Sequence, residues 1–267
     1  MSRVLPSPRP PDFDVSDQFA LGGNGLAALY SVADDREAAR LFATAEDRSR
    51  QARVATVATV LLPSFPSGFF LHPIQKDEYT YQNGGQWDWW AGRFLLAEFN
   101  RGASEASHRQ LREIAARVSS AGGLYEWNTR TGRGQGSARY AGSAGALSGA
   151  IFQGLFGIDS RAQSLAVTVR LGASPGAVRT YEPAIDRYVA YRHEPDPGGR
   201  KLRLTFESNA PGSGELRIRL PPDAGGLEGA WLDDRPWTVS EEVLGRDRYV
   251  RLQTDWRRHV VRVKWRL

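Results

Sequence analysis

The stretch SAGALSGAIFQGLFGIDSRAQSLAVTVRL, residues 143–171, changes its period half-way along, and that change decides how the whole chain is read. Its first part, Ser143 to Phe156, is rich in small residues and apolar nearly all round, which predicts a buried helix. Its last part, SLAVTVRL (164–171), alternates apolar and polar residues, the period of a strand covered on one face. Before about residue 160 the spacing is helical, with Gly-rich connections. After it, short alternating runs are separated by Pro and Gly clusters.

Going back from this boundary, Ser104 begins a helix with Leu111, Ile114, Ala115 and Val118 on one stripe, ended by Gly122-Gly123. A helix from about Trp87 to Asn100 precedes it and stops at Gly102. The run ARVATVATVLL (52–62) fits helix and strand equally, and the Pro-broken LPSFPSGFFLHP after it is a loop. Asp34 and Asp35 precede a helix with the apolar stripe Ala38, Ala39, Leu41, Phe42 and Ala45. Asp17 is the candidate cap of a helix through Leu21, Leu26, Leu29 and Val32. The spacing thus predicts five helices and allows a sixth. Helices joined by short Gly-ended turns pair as antiparallel αα-hairpins.

Going forward, RYVAYRH (187–193), KLRLTF (201–206), ELRIRL (215–220), RYVRLQ (248–253) and HVVRVKW (259–265) repeat the alternation of 164–171. ASPG, EPDPGG, APGSG and PPDAGG lie between them as turns. Strands at this spacing predict an antiparallel β-sandwich, with the strand arginines on its solvated face. The expected architecture is therefore α+β and multidomain: a disordered Pro-rich leader (1–11), a helical domain (12–160) and a C-terminal β-sandwich (161–267).

With 267 residues, 41% apolar and 24% charged, the composition is that of a globular protein with a packed core. No apolar run is long enough to span a bilayer, so no membrane partner is expected. The first residues lack the apolar stretch of a signal peptide; the expected location is cytoplasmic, and if the protein is exported its address is not on this chain. A net charge of +5 and a pI near 9.7 invite a nucleic-acid reading. The basic residues are spread along the chain and interleaved with acids, whereas phosphate binding needs them gathered, so no nucleic acid is expected. The absence of Cys excludes disulfides and thiolate chemistry. His72, His108, His193 and His259 have no i, i+4 pairing, so no His-based metal site and no metal cofactor are expected.

Two segments could carry chemistry. One is YQNGGQWDWW (81–90), a loop entering a helix; the other is GGLYEWNTRTGRGQG (122–136). Saccharide sites need flat apolar faces for pyranose C–H surfaces, and amides or carboxylates for the hydroxyls. Both segments offer these on Gly-rich backbone beside helix ends. Trp87, Trp89, Trp90 and Trp127 could equally be filler between helices; Trp87 and Trp90 share a helical face while Trp89 points elsewhere. Glu126 could be a catalytic carboxylate or a partner of Arg130, Arg133 or Arg139.

YQNGGQW resembles the aromatic–x–Asn–Gly–x–x–Trp signature of six-hairpin (α/α)6 glycosidases and phosphorylases, where a related stretch lines the substrate pocket. GGLYEWNTRTGRGQG followed by YAGSAGALSGAIFQGLFGI is similar to the late-barrel motif of processing α-glucosidase I, trehalase-like and glycogen-debranching-type enzymes. FALGGNGLAALYSVADDREAARLF resembles the helix hairpin that precedes these motifs. The resemblance covers roughly residues 12–160 and implies a partial (α/α)6 toroid ahead of the sandwich. It implies Glu126 as general base of an inverting hydrolysis, acting on α-glucosidic bonds of an oligo- or disaccharide. It also implies substrate contacts at Tyr81, Asn83, Gly84, Trp87, Tyr125 and Trp127, and no cofactor. Ser143 and Ala144 match the start of the closing helix. Gln82 stands where related enzymes often have His.

Inverting hydrolysis needs a second carboxyl about 6.5–9.5 Å from the base to protonate the leaving oxygen. In the resembling families that acid is an Asp far upstream. Asp17, Asp77, Glu78 and Asp88 are the carboxylates near the motifs, and Asp88 is the least poor substitute. Without an acid, the chain reads instead as a fragment or as a non-catalytic carbohydrate-binding or structural module. A phosphorylase on the same scaffold, with phosphate in place of water, is the other alternative. Half a toroid would leave apolar helix faces open, so a homo-oligomer or a second chain completing it is a further expectation.

Overall fold

The structure is a computed structural model that describes residues 17–266; the expected leader at 1–11 lies outside them. The chain divides into two compact units. One holds the residues up to Arg101 with Glu105–Ala150, and the other holds Gly102–Ser104 with Ile151 onward.

In the first unit, β1 (Phe19–Ala20) leads directly into α1 (Leu21–Leu29), whose N-cap Ala20 offers no side-chain bond. Asp17 does not cap this helix; its carboxylate pairs with Arg48 at 2.7 Å. Helix α2 (Asp35–Gln51) has the start its sequence encodes: Asp34 accepts from the Glu37 amide, and the Glu37 carboxylate accepts from the Asp34 amide. It buries Ala38, Phe42 and Ala45. The ambiguous run at 52–62 is mostly irregular and ends in β2 (Leu61–Leu62), paired with β1. Helix α3 (Asp88–Asn100) buries Ala91, Phe94, Leu95 and Phe99 and packs on α1 and on α5 (Ala141–Gly149). Between them in sequence, α4 (Ser104–Ala121) is followed by Gly122 at φ 72°, the left-handed conformation that ends many helices.

The partial (α/α)6 toroid is not found. Among the described residues there are five α-helices, and strand makes up about 35% of the chain against 32% helix. The Gly-rich stretch that would link two barrel helices instead pairs with itself, as β3 (Tyr125–Asn128) and β4 (Gly134–Ala138). The buried helix expected over Ser143–Phe156 keeps α geometry only to Gly149 and then widens into a π-helical turn over Ala150–Leu155.

In the second unit, β5 (Ile158–Arg161), β6 (Ser164–Val169) and β7 (Gly176–Glu182) are followed by β8 (Arg187–Pro195), β9 (Lys201–Ser208) and β10 (Ser213–Arg219). Then come β11 (Leu227–Leu232), β12 (Arg235–Pro236), β13 (Ser240–Leu244), β14 (Asp247–Asp255) and β15 (His259–Trp265). They form a five-stranded sheet, β13-β14-β10-β6-β5, and a six-stranded sheet, β12-β11-β15-β9-β8-β7. Val167, Leu216 and Val250 of the first sheet share one apolar core with Leu204, Val263 and Trp265 of the second. The arrangement is not wholly antiparallel, since β6 and β10 run parallel.

The strand arginines do not all face solvent. Arg170, Arg187 and Arg219 are buried. Arg187 donates to the Arg161, Ala162 and Ser164 carbonyls, Arg170 to those of Gln153 and Gly154, and Arg219 to Asp247 at 2.9 Å. A guanidinium with several donors can leave water when carbonyls or a carboxylate replace its hydration.

His259 bridges two carboxylates, with Nδ1 2.6 Å from Asp233 and Nε2 2.7 Å from Asp255. Partial burial opposes its charge, but the bonds to Asp233 and Asp255 outweigh it and raise its pKa above 6.5. A raised His pKa contributes stability that is fully present below the unfolded value and is lost as pH rises through the folded one. We expect His259→Gln to remove that decline. Urea melts of both proteins across pH 5 to 9 check it, and parallel curves would refute it.

Candidate functional site

The two motif segments meet in the first unit. Within YQNGGQW the chain turns twice, with Asn83 N donating to Thr80 O (2.8 Å) and Gly85 N to Tyr81 O (2.9 Å). The turn needs left-handed backbone at Tyr79 (φ 58°), Tyr81 (φ 43°) and Gly84 (φ 89°). Two aromatics in a region that L side chains seldom occupy is strain of the kind found at functional sites. Gly85 has no alternative: a Cβ there would lie 2.5 Å from Tyr81 O.

After the turn, residues 85–87 run as the middle of a small backbone platform. Val60 N donates to Gly85 O (3.1 Å) and Trp87 N to Ala58 O (2.7 Å) on one side. On the other, Gln86 N donates to Asn128 O (2.9 Å) and Asn128 N to Gln86 O (2.7 Å). The Gln86 side chain adds to this, donating to Thr129 O at 2.7 Å and accepting from Thr56 Oγ1 at 3.1 Å. Gln86 is thus the residue that joins the two motifs, a role with no signature in its sequence neighbourhood.

Of the expected contact residues, Asn83 is fully buried; it accepts from Phe65 N (2.8 Å) and donates to Phe65 O and Asp77 O, so its amide is spent inside the loop. Gly84 is buried against Ser64. Trp87 and Trp127 are 3% and 6% exposed and pack with Val60, so their indoles form the floor beneath the site rather than its open surface. Tyr81 is half-buried over them, its ring centroid 5.2 Å from that of Trp87 and 6.2 Å from that of Trp127. Tyr125 is half-buried with its ring on Gly134, where a Cβ would come within 2.3 Å. Trp89 and Trp90 stack on each other at 4.4 Å, both half-buried.

Glu126 is half-buried on β3. Its Oε2 accepts from Ser137 N at 3.2 Å and sits over Gly136, where a Cβ would be only 2.4 Å away. Among the described residues it makes no ion pair, with Arg130, Arg133, Arg139 or any other cation. The carboxylate is therefore held by one backbone donor and one glycine. Ser137 and Gly136 are partners that the sequence reading missed; the glycine in GRGQGS was their one trace. Asp88 is engaged otherwise: it is fully buried, and both of its oxygens accept from Arg117. Helix α5 locks the hairpin from behind, with Tyr140 N donating to Leu124 O (2.8 Å) and Ser143 Oγ to Tyr125 O (3.2 Å). Asn128 is 1% exposed and neither end of its carboxamide finds a partner.

Among the described residues, no group of three or more His, Asp or Glu is placed to hold a metal, and no helix is long and apolar enough to cross a membrane.

No family model matches this sequence, and no curated protein matches it. Solved structures do. The chain is similar to a GH127 β-L-arabinofuranosidase from Geobacillus stearothermophilus T6, with 14% identity over 91% of this chain and 40% of that one, at a TM-score of 0.42. It is similar to a structure described as a glycoside hydrolase, with 12% identity over 69% of this chain and 33% of that one, at a TM-score of 0.38. A GH31 dextranase from Flavobacterium johnsoniae matches at 7% identity over 40% of this chain and 17% of that one, with a TM-score of 0.30. These neighbours are all glycoside hydrolases, and this chain spans 40% or less of their length.

Proposed function

We propose that the chain carries part of a glycoside hydrolase site, in which Glu126 is the general base of an inverting hydrolysis of an α-glucosidic oligo- or disaccharide. The observation that carries this reading is the Glu126 carboxylate itself. It is half-buried, free of any ion pair among the described residues, and carried on the hairpin that also supplies Trp127 to the aromatic floor and is tied to a strained Gly-rich loop. A base must keep one oxygen available for water while the other is oriented, and one bond from Ser137 N to Oε2 leaves Oε1 for that role. Tyr81 and Tyr125 are the half-exposed rings for sugar stacking. Asn83, Gly84, Trp87 and Trp127 act by shaping the loop and floor. The proton donor is not Asp88, which the Arg117 pair occupies; Asp77 and Glu78, exposed before Tyr81, are the free carboxylates to test.

The occupied Asp88 also favours a second reading, a carbohydrate-binding module without turnover. Hydrolysis of α-linked disaccharides by wild type and Glu126→Gln separates the two. Loss of the base is expected to lower kcat by at least ~10²-fold with KM little changed. Equal activity of the two proteins would remove Glu126 from the mechanism. Binding without turnover in both would favour the module.

A further inference from the structure

A second feature of the first unit lies against the hairpin that carries Glu126. Tyr125 and the loop joining β3 to β4 form one wall of a cleft of about 820 Å³; the C-terminal half of α4 and the turn after α2 form the rest. Three arginines from two places line it: Arg53 from that turn, and Arg130 and Arg133 from the hairpin loop. Arg117 is on the wall too, but Asp88 neutralises it, and Glu113 is the one carboxylate among the lining residues. Elsewhere in this unit Arg48, Arg50, Arg101 and Arg109 each pair with Asp or Glu, while among the described residues Arg36, Arg40, Arg93, Arg112 and Arg139 stand singly without one, so it is the grouping of unpaired arginines on one concavity that sets the cleft apart. Among the described residues Arg53, Arg130 and Arg133 pair with none; Arg130 is held by the Tyr79 ring, 4.6 Å from its centroid.

Arg53 carries a further sign. It follows the C-cap of α2 in the left-handed conformation, φ 55°, where Val54 N reaches back to Ser49 O at 3.0 Å. Glycine fits this position without strain, and a long β-carbon-bearing side chain does not. The chain places an arginine there, on the wall of the cleft. Three unpaired cations around one concavity attract an oxyanion, since guanidinium groups match carboxylate and sulfate oxygens in geometry and charge. Tyr125 supplies the flat face for a ring.

The structure assigns this cleft, we infer, to a saccharide bearing an oxyanion, a sugar ring with a carboxylate or a sulfate ester. Its charged group sits on Arg53, Arg130 and Arg133, and its ring lies on Tyr125. The saccharide half of this inference rests on the hydrolase reading; the anion half does not. Glu126 follows Tyr125 on β3 but does not line the cleft, so the cleft is a binding site distinct from that carboxylate.

Titration calorimetry of the full chain tests the assignment with a galacturonate trisaccharide, a chondroitin 4-sulfate disaccharide, neutral maltotriose, sodium sulfate and a single-stranded oligodeoxynucleotide. At least one acidic saccharide is expected to bind about ten-fold or more tightly than maltotriose or bare sulfate, and to weaken with added salt. The chondroitin disaccharide carries a uronate carboxylate beside its sulfate ester, so binding of the galacturonate trisaccharide identifies the carboxylate, and binding of the chondroitin disaccharide alone identifies the sulfate. Arg133→Ala and Arg53→Gly are each expected to weaken it about ten-fold. Arg53→Gly relieves the backbone, so it should melt no lower than wild type, which separates lost binding from lost folding. Equal binding of maltotriose or sulfate, tighter binding of the oligonucleotide, indifference to both substitutions, or no binding of either acidic probe would each overturn the inference. The two assignments can fail separately. Maltotriose hydrolysis that depends on Glu126, without binding of acidic probes, would sink only the cleft. Arginine-dependent binding of an acidic saccharide whose turnover ignores Glu126→Gln would sink only the base.

Discussion

Gly92→Ala will destabilise the first unit by about 3 kcal/mol, the upper part of the range for forcing atoms into a packed core. On helix propensity alone the change has the opposite sign, because alanine is favoured over glycine in a helix interior by about 1 kcal/mol. The contact decides between them. A Cβ on Gly92 in α3 would lie 2.4 Å from Ala146 C, 2.5 Å from Ala146 O and 2.7 Å from Leu147 N. These are backbone atoms of α5, so no rotamer relieves the clash and the two helices must part. The consequence reaches the candidate site, because α5 also carries Ser143, which bonds Tyr125 O on the hairpin that holds Glu126. Gly145→Ala is the internal control. It lies in the same α5, and a Cβ there would meet nothing within 4 Å, so propensity acts alone and the substitution should stabilise by up to about 1 kcal/mol. Urea denaturation of the three proteins reads both signs. A Gly92→Ala variant as stable as wild type would show that α3 and α5 are not in backbone contact.

Features governed by near neighbours were legible in the sequence. Asp34 and Glu37 stand three apart at the head of an apolar stripe, and they form the reciprocal cap of α2. Gly102 and Gly122 stop α3 and α4 because a positive φ is a local requirement. The six strong alternations of the second half all fall on strands, while β5, β7, β11, β12 and β13 escaped because their apolar positions are too few to show a period. What escaped in the first half depends on distant pairing. Nothing in GRGQG alternates, and the β3–β4 hairpin is held by backbone bonds and by a link to Gln86 far back in the chain. The toroid expectation came from motif likeness, which speaks of loops near a site and says little about how many helices surround it. Aromatic count left the role of each Trp open in a similar way. Trp87 and Trp127 read equally as stacking surface or as filler, and the structure packs them together with Val60 beneath Tyr81, where Gly85 leaves room for the Trp127 ring.

The largest pH effect in the first unit is expected at Glu98, a residue no motif pointed to. It lies on α3 and is fully buried; one oxygen accepts from Ser107 Oγ at 2.9 Å and the other has no partner. Burial pushes its pKa up to about 8; the Ser107 bond and Arg109 pull it down and Glu46 pushes it further up, without reversing the shift. The folded protein therefore holds this proton at neutral pH, while the unfolded chain, with a carboxyl near 4.5, has released it. Unfolding releases a proton throughout that window, so stability must fall as pH rises from about 4.5 to about 8, by as much as ~1.4 kcal/mol per pH unit. Below the window both states are protonated and above it both are ionised, so the slope vanishes at each end. Glu98→Gln keeps the shape and the Ser107 contact but cannot ionise. Its stability should match wild type near pH 4.5 and exceed it by several kcal/mol at pH 8. The difference between the two curves isolates Glu98 from His193, whose depressed pKa of about 4 gives a slope of opposite sign below 6.5. If the two curves run parallel from pH 4.5 to 8, the carboxyl is not buried and α3 does not pack as described.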